Sequence, residues 1–591
     1  MGSAHHVGQS PTYDQFRLVR LEVKQTMRIL LLTHSYNSLT QRLHAELAAR
    51  GHELAIEFDI ADSVSEEAVE LFQPDLIVAP YLRRAIPESI WENHVCLVVH
   101  PGIIGDRGPS ALDRAIQSGE AKWGVTVLQA EAEMDAGPVW ASETFAMRRA
   151  TKSSLYRNEV AEAACCAVLT AVERFSSGSF DPMRLSELAT LRPLLKQEER
   201  RIDWKCDDTA TVLRKIAAAD GFPGVADQMF GEPCHLYDAQ AESNIGGGQP
   251  GDIIARRETA LLRATVDGAV WIGHVRRHAN VIKLPTALAY ADEAAIVPEL
   301  PLANWWKVEG DTWQDIAYRE QGGIGYLHFE FYNGAMGTQQ CQRLLQAYRW
   351  ALTRPTRVVV LMGGADFWSN GIHLNLIEAA ESPADESWAN INAMNDLAEA
   401  IIRTESHLTI AALQGNAGAG GCFLARAADQ MWLRDGVLLN PHYKNMGNLY
   451  GSEYWTYLLP PRVGEEGARA IMRNRLPLTA QAAVAYGFAD ACLSGDSATF
   501  LVEVARRADE LACSGDFLLW LTAKRVQRIK DEAAKPLSQY REEELAQMRR
   551  NFYGFDPSYH VARYHFVRKS PNSWTPRHLA PHRNPGWQAP A

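Results

Sequence analysis

The chain reads as a multidomain α/β protein, and three observations predict this. Between residues 28 and 99, short apolar runs alternate with helical patterns, as in strands joined by crossover helices. Between 203 and 285 the runs shorten and are separated by Gly and Pro turns, which suits a small β-rich module. From Ile316 strand and helix alternate again. There residues 413–423, Leu-Gln-Gly-Asn-Ala-Gly-Ala-Gly-Gly-Cys-Phe, place a glycine-rich turn between a strand and a helix. A chain of 591 residues is too long for one core.

The elements follow in order. Residues 1–26 lack the apolar core of a signal peptide and read as an extension or leader, so the fold is expected to begin at Met27. Arg28-Ile29-Leu30-Leu31-Leu32 predicts a strand, and Leu39, Leu43 and Leu47 share one face of a helix that stops at Gly51. Residues 54–58 predict a strand and are followed by a helix to Phe72. Two further strands are Leu76-Ile77-Val78-Ala79, opened by Pro74, and Cys96-Leu97-Val98-Val99. Such a sheet is mostly parallel and binds ligands at its strand carboxyl ends. A charged stretch at 196–201 closes this domain at residue 195. The β-rich module, 196–290, is punctuated by Gly221-Phe222-Pro223-Gly224, Gly246-Gly247-Gly248 and Pro250-Gly251. Pro298, Pro301 and Trp305-Trp306 mark a linker at 291–315. In the second α/β domain, 316–510, residues 324–331 alternate like a hairpin strand, and Val358-Val359-Val360-Leu361 and residues 408–413 read as buried strands. Residues 511–591 form a helical tail that ends rich in aromatics, histidine and arginine.

Composition narrows the function. The 47% hydrophobic and 22% charged content is that of a globular protein, and the net charge of -12 argues against a nucleic-acid binder. No apolar run approaches the roughly 18 residues of a spanning helix. Nine cysteines without a C-x-x-C pair fit a reduced cytosol, so a cytoplasmic location is expected.

The first chemical constellation follows the fourth strand. Residues 99–108, Val-His-Pro-Gly-Ile-Ile-Gly-Asp-Arg-Gly, put His100 at a strand end, and residues 133–138, Glu-Met-Asp-Ala-Gly-Pro, put Asp135 on a turn. Together they suit acid/base chemistry; separately they suit a cap and a turn. These motifs, with Gly124-Val125-Thr126, resemble the formyltransferase family that uses 10-formyltetrahydrofolate. Ile202-Asp203-Trp204 and Phe222-Pro223-Gly224 fit that family's C-terminal barrel-like domain. The resemblance implies a formyltransferase-like domain over 27–195 with His100 and Asp135 catalytic. Asn37, Gln41, Tyr81 and Arg107 are candidate folate contacts, although Asn37 and Gln41 also suit a helix cap and its first turn. The family carries an asparagine two residues before the histidine, where this chain has Val98. Losing one such oxyanion donor costs about 3 kcal/mol of barrier. The acidic chain, with few basic residues around Arg107, disfavours a tRNA acceptor.

The second constellation is the glycine-rich turn. With Phe367-Trp368-Ser369-Asn370-Gly371-Ile372, Ala468-Arg469-Ala470, residues 478–483 and Ala485-Tyr486-Gly487-Phe488-Ala489-Asp490, it resembles the crotonase (enoyl-CoA hydratase/isomerase) family. That resemblance implies an oxyanion hole made by the N–H groups of Ile372 and Gly420, which would polarise a CoA thioester. Hydratases carry a glutamate where this chain has Phe423, and their second glutamate maps near His442. Tyr443 and Glu453 are then the candidate proton handlers, with His442 a weaker choice; an ordinary helix-start carboxylate is the other reading of Glu453. Arg563, Arg568 and Lys569 are candidate contacts for CoA phosphates or else a solvated helix face. No metal site is expected, since the tail histidines lack partners at ligand spacing.

A formyl-folate half fused to a crotonase-like half resembles the HypX/HoxX-type maturation factors of [NiFe]-hydrogenase. That implies two small-molecule substrates, 10-formyltetrahydrofolate and coenzyme A, and release of CO from formyl-CoA for the hydrogenase iron, with hydrogenase maturation proteins as partners. Hydrolysis of formyl-CoA, another acyl-CoA lyase activity, a folate- and CoA-sensing regulator and a CO-delivery scaffold are the alternatives.

Overall fold

The computed structural model describes residues 26–184 and 190–588. The expected extension at 1–26 therefore lies, up to residue 25, outside the described residues. The first unit is a six-stranded sheet in the order Glu53–Phe58, Arg28–Thr33, Leu76–Tyr81, Cys96–His100, Lys122–Gln129, Val139–Ala146. The first four strands are parallel and the last two antiparallel. Both faces are buried, which is why the strands read as continuous apolar runs. Ile29 and Leu31 pack with Leu39, Leu43 and Leu47 of the helix Ser38–Ala49 and with Ala164 and Val168 of the helix Ala161–Ser177. Leu30 and Leu32 pack on the other face with Ala68, Val69 and Phe72 of the helix Asp62–Phe72. Strand order reverses around Arg28–Thr33, so a crevice is expected at its carboxyl end. His100 ends the fourth strand, and Asp135 lies in the turn between the two antiparallel strands.

The β-rich unit has strands in the order Ile253–Arg257, Ala260–Ala264, Ala269–Arg277, Glu232–Glu242, Val225–Met229, with Leu284–Pro285 paired to Ala269–Arg277. All pair antiparallel. This is the expected barrel-like unit, and among the described residues no pairing closes its sheet. A helix takes the place of the closing strands, since Val212 and Ile216 of Thr209–Ala219 pack on Val225, Leu236 and Val275. The linker region is not a free tether either. Glu299 bridges to Arg256, and Trp305 and Trp306 pack on Trp350 of the third unit.

The third unit opens with the antiparallel pair Ile316–Gln321 and Ile324–Phe329. It continues in parallel through Val358–Leu361, Leu408–Leu413, Gln430–Arg434 and Ala491–Leu493. A smaller sheet orders Phe367–Ser369, Asn416–Gly418, Leu438–Asn440 and Leu478–Thr479, and lays the two glycine-containing segments side by side. Helices Ser497–Cys513, Phe517–Ala534, Leu537–Tyr553 and Ser558–Val567 follow. The tail then returns to the first unit. Leu579 joins that unit's core and its carbonyl accepts from Ile56 N–H at 2.8 Å, while Trp587 stacks on Phe72. Among the described residues no helix is long and apolar enough to cross a membrane, and no three His, Cys, Asp or Glu side chains converge as a metal would need.

Candidate active sites

In the first site His100 is buried between two carboxylates. Its Nε2 lies 3.1 Å from Asp106 Oδ2 and its Nδ1 3.5 Å from Asp135 Oδ2. Asp135 has a left-handed backbone (φ 54°) and accepts from Gly108 N–H at 3.0 Å. Arg107 fastens the same turn, donating to Met134 O at 2.9 and 3.1 Å and to Glu133 at 3.1 Å. Asp106 is paired with Arg192. A Cβ at position 102 would overlap the His100 ring and Asp106, so the loop needs glycine there. Val98 supplies no donor; it pairs with Leu128 in the sheet.

The candidate folate contacts are largely engaged within the protein. Asn37 caps its helix, accepting from Thr40 N–H at 3.0 Å. Gln41 donates to Tyr36 O at 2.9 Å and accepts from Asn440 of the third unit at 3.1 Å. Tyr81 sits edge-on to His34 and Tyr156, and its hydroxyl accepts from Arg83. Arg107 holds the Asp135 turn. Sequence reasoning missed Asp106, although it stands inside the loop that carries His100.

In the second site Gly371 and Gly420 are neighbours: a Cβ on Gly371 would lie 3.5 Å from Gly420 N. Gly420 opens the helix Gly420–Arg426, whose first N–H groups have no intrahelical acceptor and carry the positive end of its dipole. A Cβ on Gly420 would overlap the Glu453 carboxyl, so that carboxyl lies directly against the expected second oxyanion donor. Tyr443 O–H donates to Glu453 Oε2 at 2.6 Å, with both residues buried. Burial, reinforced by the charge of Glu544, pushes Glu453 up to about 8 against the hydrogen bond from Tyr443. Burial and Glu453 together hold the Tyr443 phenol well above its ordinary range. Phe423 stacks on Tyr443 with ring centroids 6.0 Å apart and 10° between planes, and meets Phe488 edge-on. The residue that replaces the hydratase acid thus forms the wall that orients Tyr443. His442 makes no bond to this pair; burial and then His578 hold it down to about 4.

The predicted CoA cations divide. Arg563 is buried and spent on Glu378 at 2.9 Å and His560 at 2.7 Å, and Arg568 approaches the same carboxylate at 3.5 Å. Lys569 instead lies near Arg157, and both act on Lys283, which burial first and these charges next lower to about 8 against Asp220 and Asp238. Lys283 donates to the Tyr332 hydroxyl at 2.8 Å, and Arg157 is paired with Asp366 at 3.2 Å. Beside them a cavity of about 570 Å³ opens where the units meet, lined by Arg148, Arg157, His274, Tyr332 and Asp366. Asp366 of the third unit accepts from Ser154 at 2.7 Å, Asn158 at 2.9 Å and Arg157 at 3.2 Å of the first.

Fold and sites define the class: a two-domain formyltransferase joined to a crotonase-like domain. The formyl transferase family model matches residues 38–172, the formyl transferase C-terminal domain model 194–286, and the enoyl-CoA hydratase/isomerase model 321–577. The last reaches well past residue 510, into the helical tail. The hydrogenase maturation factor HoxX of Bradyrhizobium diazoefficiens is 54% identical over 561 residues, 94% of this chain and 97% of that protein. The crystal structure of HypX from Aquifex aeolicus in complex with tetrahydrofolic acid superimposes with a TM-score of 0.93 at 48% identity, covering 95% of this chain and 100% of that one. A methionyl-tRNA formyltransferase of Halalkalibacterium halodurans is 26% identical over 212 residues, 35% of this chain and 67% of that protein. The chain belongs to the HoxX/HypX family of hydrogenase maturation factors.

Proposed function

We propose that this protein moves a formyl group from 10-formyltetrahydrofolate to the thiol of CoA and then releases CO from formyl-CoA for the iron of [NiFe]-hydrogenase. The observation that carries this reading is the buried Tyr443–Glu453 pair set against Gly420, with Phe423 where a hydratase keeps an acid. The tetrahydrofolate in the Aquifex relative supports a folate at the first site. At that site the thiol sulfur attacks the formyl carbon, the carbon–N10 bond breaks, and His100 with Asp135 carries the thiol proton to N10. Lys283 and Lys569 fit the phosphates of CoA better than Arg563 and Arg157, whose charges are already met by Glu378 and Asp366.

Formyl-CoA has no α-carbon, so the second site has no alkene to hydrate. The chemistry left is loss of the formyl proton and of the thiolate. Glu453, coupled to Tyr443, accepts the C–H proton, the C–S bond breaks, and the proton returns to sulfur; the products are CO and CoA. The N–H groups of Ile372 and Gly420 hold the carbonyl oxygen. Phe423 leaves this site without the acid that would activate water, which favours CO over formate. The location fits a cytoplasmic protein, and its partners are proteins of hydrogenase maturation. The test is a pair of variants given both substrates. Asp135→Asn should stop consumption of the formyl-folate, whereas Glu453→Gln should consume it and accumulate formyl-CoA. Undiminished CO from Glu453→Gln would remove Glu453 from the site.

A further inference from the structure

Glu453 and Tyr454 are consecutive non-glycine residues with left-handed backbones, φ 59° and 62°. Such conformations persist only where the surroundings hold them. On one side Asn395 Oδ1 accepts from Glu453 N–H at 2.8 Å and from the Ser452 hydroxyl at 2.9 Å. On the other side stands the helix Leu537–Tyr553. Its fully buried Glu544 accepts from Tyr454 N–H at 2.9 Å, from Thr456 N–H at 2.9 Å and from the Thr456 hydroxyl at 2.6 Å. One and two turns further, Met548 Sδ faces Gly451 N–H at 3.2 Å and Asn551 accepts from Tyr450 N–H at 3.1 Å. Positions 544, 548 and 551 fall on one helix face, so a single face holds the backbone from Tyr450 to Thr456.

We infer that Glu544 is a positioning residue of the second site: it fixes the left-handed pair that aims the Glu453 carboxyl at Tyr443 and Gly420, and its charge sets how readily Glu453 gives up its proton. The inference rests on the proposed role of Glu453. The groups packed around Glu453 support it. Tyr443 bonds Glu453, Cys341 is raised by its charge and Cys422 acts on Tyr443, and burial holds all three neutral. Glu544 is raised by burial against its bonds from Thr456 and Tyr454, and as a like charge it raises Glu453.

The experiment compares wild type, Glu544→Gln and Glu544→Ala. The Glu453 carboxyl is titrated by infrared difference spectroscopy, its band assigned by loss in Glu453→Gln, and CO formation is followed against pH. Glu544→Gln keeps an acceptor for the turn but no charge. Its Glu453 band should titrate at lower pH, and the ratio of CO rates at low to high pH should rise about threefold, equivalent to half a pH unit. Glu544→Ala should lose CO formation while consuming formyl-folate at the wild-type rate. An unmoved Glu453 titration in Glu544→Gln overturns the inference, even where CO is made. Absence of CO from wild type overturns the proposed reaction instead, and the infrared titration still decides the role of Glu544.

Discussion

His100 lies between Asp106 and Asp135, so each ring nitrogen faces a carboxylate. In the proposed transfer that arrangement acts without the family asparagine, whose place Val98 takes. Asp135→Asn should slow formyl transfer about 10²–10⁴-fold, the range of a lost acid/base group, with folate binding retained; single-turnover consumption of the formyl-folate checks this. Asp106→Asn should lower kcat more than it raises KM, because it loosens the ring without removing a ligand contact. In the proposed reaction Glu453 accepts a proton, and burial raises it to about 8, so CO formation should increase as pH rises through that value and flatten above it. A rate that falls over the same range would make Glu453 a donor. Resemblance to two families, rather than spacing alone, singled out His100, Asp135, Tyr443 and Glu453 in the sequence, and the structure brings each pair within reach. Asp106 was hidden as one more residue of its loop. Glu544 was hidden because a glutamate in Arg541-Glu542-Glu543-Glu544 carries no sign that it points inward.

At the scale of elements, the helix Gly420–Arg426 has two parts in the proposed reaction: its first turn would face the substrate oxygen, and its Phe423 backs Tyr443. Phe423→Glu should restore a water-activating acid and divert product from CO to formate, at a cost in stability because the new carboxyl has no bonding partner there. Gly420→Ala should destabilise the protein by about 1–3 kcal/mol through overlap with Glu453 and abolish CO formation; chemical denaturation and the CO assay read the two effects. Strands and helices were legible from periodicity because most bury one face or both. That the sheet of the β-rich unit stays open among the described residues was not, because whether two edge strands meet depends on what covers the sheet. Here the helix Thr209–Ala219 covers it.

For the whole molecule, the tail ties the last helices back to the first sheet. Glu57 is fully buried and held by Thr575, His582 and Arg583. Burial alone would raise its pKa, but the bonds from His582, Thr575 and Arg583 outweigh that and hold it below the ordinary carboxylate range. A lowered folded value contributes stability that is present above the unfolded carboxylate range and is lost as pH falls through the folded value. Acid should therefore release the tail, and Arg583→Ala should shift that release to higher pH, as limited proteolysis against pH would show. This return was illegible in the sequence, since Phe58 and Thr575 meet across a separation of 517 residues. The same wrapping, with Gln41 on Asn440 and Arg157 on Asp366, brings the formyltransferase half and the crotonase-like half together. Coupled chemistry between those halves is tested most directly with 10-formyltetrahydrofolate labelled with carbon-13 in its formyl group, supplied with CoA, and with deoxyhaemoglobin as the trap. Labelled CO that matches the formyl consumed and requires CoA is the expected result; labelled formate, with no CO above the CoA-free control, would contradict it.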